Sequence, residues 1–153
     1  MTLPKPFQYK ALEKINSKFD LFLLHLIYTN KHFKSNKRKM NKIYLAIPYT
    51  WNPDKSFEIA NKVTADLMSK GNVVFSPISH SHPIADFLPK ELRTNSEWWM
   101  RQDLPLVQWA DEIHVVHIGD LGNDLICNSK GVCREIEYAK QLNKPIKIIE
   151  YYD

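Results

Sequence analysis

The residue best placed for chemistry in this sequence is a carboxylate near the beginning of a predicted helix. The segment SKGVCREIEYA, residues 129–139, predicts a loop that leads into a helix, with Glu135 in its first turns. Backbone N–H groups at a helix start can bind an anion, and the helix dipole there is expected to favour an ionised carboxylate. On a solvent-exposed face, Glu135 would be an ordinary helix-stabilising charge. Its neighbours Val132 and Ile136 are predicted to face the core, so we expect Glu135 at the core margin.

Sequence motifs that would indicate a cofactor or a metal ion are absent or incomplete. No GxGxxG follows the first predicted strand, which argues against a dinucleotide-binding Rossmann site, and no P-loop motif GxxxxGK(S/T) occurs. His80 and His82 have the chemistry of metal ligands, but no Asp, Glu or Cys partner stands at a useful spacing. The sequence therefore predicts neither a cofactor nor a metal site.

Alternating strands and helices must position these residues. Apolar runs predict four strands, at 42–47, 73–75, 112–118 and 146–149. Helices are predicted in the connections, with starts and ends at Ser56 and Gly71, Ser96 and Trp109, and Gly131 and Leu142. Residues 78–95 are predicted to form a long irregular segment. The alternation predicts a single α/β domain: an open parallel sheet of about four or five strands with helices on both faces, Rossmann-like or flavodoxin-like.

The charge distribution separates the first 39 residues from the rest of the chain. Residues 1–39 hold nine Lys or Arg and two Asp or Glu, whereas the remaining residues hold twelve basic and fifteen acidic side chains. We therefore predict a basic N-terminal extension over 1–39, outside the functional unit, and one domain over 40–153. Three interpretations of the extension are open: a short helix with a basic tail, an interfacial membrane anchor, or upstream sequence before the real start. The mildly acidic domain is not predicted to bind nucleic acid.

The composition excludes several other classes of protein. With 44% hydrophobic and 25% charged residues, the 153-residue chain has the balance of a globular domain rather than of a fibrous or disordered protein. No apolar run approaches the roughly 18 residues that a membrane-spanning helix needs. Cys127 and Cys133 form no disulfide framework, so a reducing, cytoplasmic location is predicted.

Four short motifs occur together in an order and spacing that resemble one superfamily. They are IYLA at 43–46, Asp103, SxGVxxEIxxA at 129–139 and KPI at 144–146. The set resembles the nucleoside 2-deoxyribosyltransferase superfamily, which includes deoxynucleoside 5′-monophosphate N-glycosidases and an uncharacterised bacterial and phage branch. The segment VFSPISHSHPI at 74–84 is especially similar to that branch. The resemblance covers residues 40–151.

The resemblance implies a role for each of three matching residues. Glu135 corresponds to the carboxylate nucleophile that attacks the anomeric carbon of the sugar. Asp103 corresponds to the acid that protonates or hydrogen-bonds the departing base. Tyr44 corresponds to a tyrosine whose hydroxyl orients the nucleophile. Ile47 departs from the pattern, because many relatives have a small Gly or Ser there, near the sugar.

Ser129 stands six residues before the predicted nucleophile, where the superfamily distinguishes its substrates. Members that act on free nucleosides tend to have an acidic residue there, whereas the 5′-monophosphate hydrolases have a serine. A carboxylate would repel a phosphate, but a hydroxyl and the free amides of Gly131 and Val132 at the helix start would bind one. Ser129 therefore favours a monophosphate substrate.

Further residues are predicted to bind substrate because they lie beyond the ends of the strands, where open parallel sheets bind ligands. Pro48 and Tyr49 follow the first strand, and His80 and His82 follow the second. For the two histidines, lining a pocket or bracing a loop is a better interpretation than binding metal. Trp99 lies four residues before Asp103, the predicted acid, and therefore shares a helix face with it. Its side chain is expected either to stack on a base or to pack in the core.

Together these observations predict an enzyme that cleaves the N-glycosidic bond of a (2′-deoxy)nucleoside, as its 5′-monophosphate, through a glycosyl-enzyme intermediate. One alternative is a nucleoside 2-deoxyribosyltransferase, which moves deoxyribose between bases. An alternative of another class is a non-catalytic nucleotide-binding or sensor module. The resemblance further implies a homo-oligomer, a dimer or larger, in which neighbouring chains complete each site.

Overall fold

A computed structural model describes residues 40–119 and 128–152 of the chain. The predicted extension over 1–39 and most of the loop before Asn128 lie outside the described residues. The described strands are β1 (Lys42–Ala46), β2 (Val73–Phe75), β3 (Glu112–Ile118) and β4 (Ile146–Tyr151). The described helices are α1 (Pro53–Ser69), α2 (Pro77–Ala85), α3 (Lys90–Arg93), α4 (Ser96–Trp109) and α5 (Lys130–Gln141).

The four strands form one parallel sheet in the order β2-β1-β3-β4. From β1 the chain moves outward to β2 on one side, and it then crosses over to β3 and β4 on the other side. Open parallel sheets bind ligands beyond the carboxyl ends of the two strands at which the order reverses, which are β1 and β3 here. The predicted α/β class, the parallel sheet and the single domain are confirmed.

Successive residues of β1 face opposite sides of the sheet and enter two separate cores. Ile43 and Leu45 pack with α1, whereas Tyr44 and Ala46 face the side that α4 and α5 cover. Because Tyr44 is the large polar residue in this alternation, the pleat aims its hydroxyl toward α4 and α5.

Two helices begin at an asparagine rather than at the predicted serine. Asn52 caps α1 by accepting a hydrogen bond from the backbone N–H of Lys55, and Asn95 caps α4 by accepting one from Trp98. The predicted caps Ser56 and Ser96 were therefore wrong, since each lies inside its helix. Ser56 is fully buried, and its Oγ donates to the carbonyl oxygen of Pro48 at 2.7 Å. Ser56 thus fixes the loop after β1 that borders the cleft described below.

The prediction of a long irregular segment over residues 78–95 was wrong, because α2 and α3 occupy most of it. Ser76 caps α2 by accepting a hydrogen bond from the N–H of Ser79 at 3.3 Å, and Pro77 occupies the first helical position, where proline is favoured. Pro83 inside the helix and the weak apolar periodicity obscured α2 in the sequence. The helix matters because it forms one wall of the cleft.

The other helix ends follow the expected local chemistry. Gly71, with φ of 85°, follows the end of α1 in the left-handed conformation that favours glycine, as predicted. Asn143, with φ of 53°, does the same after α5. α5 begins one residue before the predicted start, at Lys130. Within the described part of the chain, no helix has the length and apolarity to cross a bilayer.

Candidate active site

The centre of the candidate site is a hydrogen bond between β1 and α5. The hydroxyl of Tyr44 donates to Oε1 of Glu135 at 2.7 Å. Both side chains are buried, and Glu135 is only 5% exposed. The alternation of β1 places Tyr44 under α5, and the helical position of Glu135 between Val132 and Ala139 turns its carboxyl inward. The tyrosine therefore binds one oxygen of the carboxyl, and the second oxygen takes no part in this hydrogen bond.

Burial dominates the electrostatics of Glu135. Loss of hydration raises its pKa to about 8, and the nearby charge of Asp103 acts in the same direction, while the hydrogen bond from Tyr44 opposes them. The expectation that the helix dipole would favour the ionised form was wrong, because Glu135 lies in the second turn of α5 and is enclosed. The interpretation of Glu135 as a charge on a solvent-exposed face is also excluded. Burial likewise raises the pKa of Tyr44 well above its usual range.

Asp103 supplies a second carboxyl group from α4. It is 8% exposed, and burial raises its pKa to about 6. Its charge raises the pKa of both Glu135 and Tyr44, so the three groups lie within electrostatic reach of one another. Two buried carboxyl groups with raised and different pKa values are typical of sites that carry out acid–base chemistry.

A cleft of about 1260 Å³ lies over these carboxyl groups. Its walls come from the loop after β1, from α2, from α4 and from the start of α5. Eight of the eleven predicted site residues line it: Tyr49, His82, Trp99, Asp103, Ser129, Gly131, Val132 and Glu135. Trp99 and Asp103, one turn apart, both face the cleft, so the shared helix face is observed.

Three predicted site residues do not line this cleft. Tyr44 is fully buried and is connected to the cleft by its hydrogen bond to Glu135. Pro48 is fully buried, and its carbonyl oxygen accepts hydrogen bonds from Ser56 Oγ and from Trp51 Nε1, so it braces the loop. His80 lines a neighbouring cavity of about 220 Å³, and the centre of its ring lies 5.7 Å from that of Phe75.

The start of α5 offers unpaired donors to the cleft. Ser129 occupies the N-cap position, but its side chain makes no capping hydrogen bond. The N–H groups of Lys130, Gly131 and Val132 belong to the first turn, where no carbonyl of the helix itself can accept them. A Cβ atom on Gly131 would lie 4.0 Å from Met100, an ordinary contact, so packing alone does not require glycine there.

Several charged residues of the cleft were not predicted. Asp54, Asp86, Arg93 and Glu97 line it, and so does Arg134. Asp86 and Arg93 belong to the segment mistaken for an irregular loop, so the sequence carried no periodic signal for them. Arg134 binds Glu97 through two hydrogen bonds of 2.6 and 3.0 Å, which join α5 to α4 at the cleft rim.

His82 takes part in an aromatic and hydrogen-bonded cluster. Its Nδ1 lies 2.9 Å from the hydroxyl oxygen of Tyr49, and its ring stacks on Phe57. His80 faces the other cavity, so the two histidines do not converge. In the ranges 40–119 and 128–152, no group of three or more His, Cys, Asp or Glu side chains is placed to hold a metal ion.

Comparisons with known proteins agree with this architecture. A family model described as a domain of unknown function, DUF1937, matches residues 41–151, and the chain belongs to this nucleoside 2-deoxyribosyltransferase-like family of enzymes. Among solved structures, the chain is similar to a 2-deoxyribosyltransferase from the psychrotolerant bacterium Bacillus psychrosaccharolyticus, described as a biocatalyst for synthesis of antiviral and antitumoral nucleosides. The two are 26% identical over 71% of this chain and 72% of that chain, with a TM-score of 0.52. No curated protein matches the chain.

Replacement of Glu135 by Gln should stabilise the fold at neutral pH. The carboxyl is neutral in the folded state up to about pH 8, whereas in the unfolded chain it ionises near its ordinary pKa of 4.5. Between these values the unfolded state binds fewer protons, so wild-type stability falls by about 1.4 kcal/mol per pH unit as the pH rises. We expect Glu135→Gln to gain about 3 kcal/mol relative to wild type between pH 5 and pH 7.5, measured by urea unfolding.

The measured quantity is the difference in free energy of unfolding between Glu135→Gln and wild type, compared at pH 5 and pH 7.5. A packing defect caused by the amide is present at both pH values and therefore cancels. Glu137→Gln, on the exposed face of the same helix, is the matched control and should track wild type. A constant difference between Glu135→Gln and wild type from pH 5 to 7.5 would contradict the raised pKa.

Proposed function

We propose that this protein cleaves the N-glycosidic bond of a 2′-deoxynucleoside 5′-monophosphate, with Glu135 as nucleophile. The observation that carries the proposal is the buried carboxyl of Glu135, held by the Tyr44 hydroxyl beneath a cleft that Asp103 also lines. The similarity to a solved 2-deoxyribosyltransferase supports a nucleoside as the substrate class. Two carboxyl groups that line one cleft match the chemistry of retaining glycosidases.

The reaction has two steps. In the first, a carboxylate oxygen of Glu135 bonds to C1′ of the sugar while the bond from C1′ to the base nitrogen breaks. The base nitrogen keeps the bonding electron pair and receives the proton of Asp103. In the second step, ionised Asp103 takes a proton from water, the water oxygen bonds to C1′, and the ester to Glu135 breaks. Tyr44 donates to the carboxyl of Glu135 throughout and fixes its orientation.

The two pKa values determine how often the site is ready to react. Between about pH 6 and pH 8 the pair holds one proton, and that proton resides mainly on Glu135. The reactive form carries it on Asp103 instead. A difference of about two pKa units makes this form roughly one in a hundred of the singly protonated sites. The sugar becomes positively charged in the transition state, and this charge favours ionised Glu135. The shared proton therefore lies mainly on Glu135 in the free enzyme and on Asp103 as the bond breaks.

The start of α5 supports a phosphate on the substrate. A phosphate there would meet the free amides of the first turn, the positive end of the helix dipole, the uncommitted hydroxyl of Ser129 and the ammonium group of Lys130. A free 5′-hydroxyl would gain little from the same groups. The helix start lies five residues before Glu135, on the same wall of the cleft.

A transferase is the second candidate, and the name of the solved relative favours it. The first chemical step is the same, and a second base replaces water in the second step. A non-catalytic nucleotide-binding module fits less well, because a buried carboxyl with a raised pKa destabilises the fold at neutral pH. A protein that only binds would gain stability by losing Glu135.

The direct test incubates the protein with deoxynucleosides and their 5′-monophosphates, with and without a second base, and follows free base by chromatography. We expect base release from the monophosphates in water alone. Glu135→Gln should lower the rate by at least a thousandfold, because the amide cannot form the glycosyl ester, and the matched variant Glu137→Gln should not. Release that requires a second base would establish the transferase, and turnover by Glu135→Gln would remove the nucleophile assignment.

The dependence of kcat/KM on pH should identify the acid, because it reports the groups of the free enzyme. Wild-type kcat/KM should be bell-shaped, with limbs near pH 6 and pH 8, because the pair must hold one proton. Asp103→Asn should lower kcat/KM by about 10²–10⁴-fold and remove the alkaline limb, because only ionisation of Glu135 then matters. The remaining acid limb should lie below pH 8, since the charge of Asp103 no longer raises the pKa of Glu135. An alkaline limb that persists in Asp103→Asn belongs to another group.

The preference for a phosphate should depend on Ser129. One or two charge-assisted hydrogen bonds should favour a monophosphate over its parent nucleoside at least tenfold in kcat/KM. Ser129→Asp should erase this preference by like-charge repulsion, and Ser129→Ala, the matched control, should reduce it only in part. If wild type prefers the unphosphorylated substrate, the α5 start does not bind phosphate.

A further inference from the structure

A three-residue cluster forms part of the cleft wall away from the start of α5. Tyr49 lies in the loop after β1, Asp54 in the first turn of α1, and His82 in α2, and all three line the cleft. The hydroxyl oxygen of Tyr49 lies 2.9 Å from Nδ1 of His82. Nε2 of the same ring lies 3.7 Å from a carboxylate oxygen of Asp54. The reaction steps above use none of these residues.

The contacts of His82 determine which way its hydrogen bonds run. The negative charge of Asp54 favours a proton on Nε2, which leaves Nδ1 as an acceptor in the neutral ring. The hydroxyl of Tyr49 is then the donor. Phe57 stacks on the imidazole ring, with 4.3 Å between ring centres and 13° between ring planes, and so limits its rotation. With this tautomer of His82, the single proton of Tyr49 is directed at His82, and its oxygen offers lone pairs to the cleft.

The charges around Tyr49 favour a ligand group that donates a hydrogen bond over a ligand group that is negatively charged. Burial, together with the negative charges of Asp54 and Asp86, raises the pKa of Tyr49, so its hydroxyl stays protonated. The same charges disfavour a phosphate near this oxygen and favour a polarised N–H group. The cleft thus has anion-binding amides at the start of α5 and a hydrogen-bond-accepting wall at Tyr49, where Asp54 and Asp86 lie nearby and Asp86 is paired with Arg93 at 3.6 Å.

These groups limit which part of a bound nucleotide can reach Tyr49. With C1′ at Glu135, the base and the 5′-phosphate extend in different directions from the sugar. The carboxylates near Tyr49 disfavour the phosphate, so the parts of the nucleotide that can donate to Tyr49 are the sugar hydroxyls and the edge of the base. Trp99, in the same cleft, offers a flat surface on which a base can stack.

We propose that the phenol oxygen of Tyr49, oriented by His82 and Asp54, accepts a hydrogen bond from an exocyclic amino group of the base. The enzyme then prefers adenine, cytosine or guanine substrates to those that carry a carbonyl oxygen at the same position. This inference rests on the proposed function, because it assumes a nucleotide with C1′ at Glu135. Tyr49 is a specificity residue in this scheme, and His82 and Asp54 are positioning residues.

The test compares substrates that differ only in one group. Deoxyadenosine and deoxyinosine 5′-monophosphates form one pair, and deoxycytidine and deoxyuridine 5′-monophosphates form the other. Within at least one pair, we expect wild type to favour the amino member about tenfold in kcat/KM. In the oxo member, the carbonyl oxygen of the base would face the phenol oxygen of Tyr49, and both atoms are hydrogen-bond acceptors. Tyr49→Phe should reduce this ratio to within about twofold, and His82→Phe should reduce it while the Tyr49 hydroxyl is still present.

Tyr138→Phe is the matched control, since Tyr138 is a half-buried tyrosine that packs against the core on α5 and does not line the cleft. It should leave the ratios unchanged. A purely structural role of Tyr49 would lower kcat/KM equally for both members of each pair, and that result would overturn the inference. The same holds for a contact between Tyr49 and the sugar.

Binding separates failure of this inference from failure of the proposed function. Dissociation constants of the four monophosphates are measured by calorimetry with Glu135→Gln and with the double variant Glu135→Gln, Tyr49→Phe. If wild type releases no base but Glu135→Gln binds the amino member more tightly, and Tyr49→Phe removes this preference, the inference holds and the proposed reaction does not. Base release with equal binding within both pairs overturns the inference alone. No binding of any of the four overturns both.

Discussion

A carboxyl group buried where ionisation is unfavourable is the constraint on which the rest of this structure depends. Glu135 is enclosed between the sheet and α5, where charging it is unfavourable, and the hydroxyl of Tyr44 is the direct hydrogen-bond donor that offsets part of this penalty. The fold keeps the group in place because apolar residues on either side of it, Val132 and Ala139, anchor α5 to the sheet. Stability gained from the core thus maintains a site that is itself destabilising at neutral pH.

The parallel sheet converts this local arrangement into a cleft. The reversal of strand order between β1 and β3 opens a space beyond their carboxyl ends, and the helices supply the functional groups around it. α5 carries Glu135 and the free amides, α4 carries Asp103 and Trp99, and α2 carries His82. α4 and α5 pack in one apolar core, and α2 lies beside the other, so the groups are held by rigid elements rather than by the loops alone.

Elements with a regular apolar periodicity were predicted correctly from the sequence. Helix starts were not, where two nearby residues are comparable N-caps. The four strands followed from apolar runs, whereas the contact between Tyr44 and Glu135 was expected only from the resemblance to the superfamily. Asparagine and serine are comparable N-caps, so Asn52 and Asn95 could not be preferred to nearby serines without the backbone. α2 was missed because Pro83 lies within it. The electrostatic state of Glu135 was misjudged because burial depends on the packing of the whole chain, whereas helix position is local.

The ion pair between Arg134 and Glu97 links the helix of Glu135 to the helix of Asp103 at the surface. Both side chains are exposed, so dissolved ions compete with this contact while the apolar core beneath it is unaffected. The two helices are therefore joined in two ways, of which one weakens in concentrated salt and the other does not. The packing of Val107 against Val132 and Ala139 alone has to keep the two buried carboxyl groups side by side at high ionic strength.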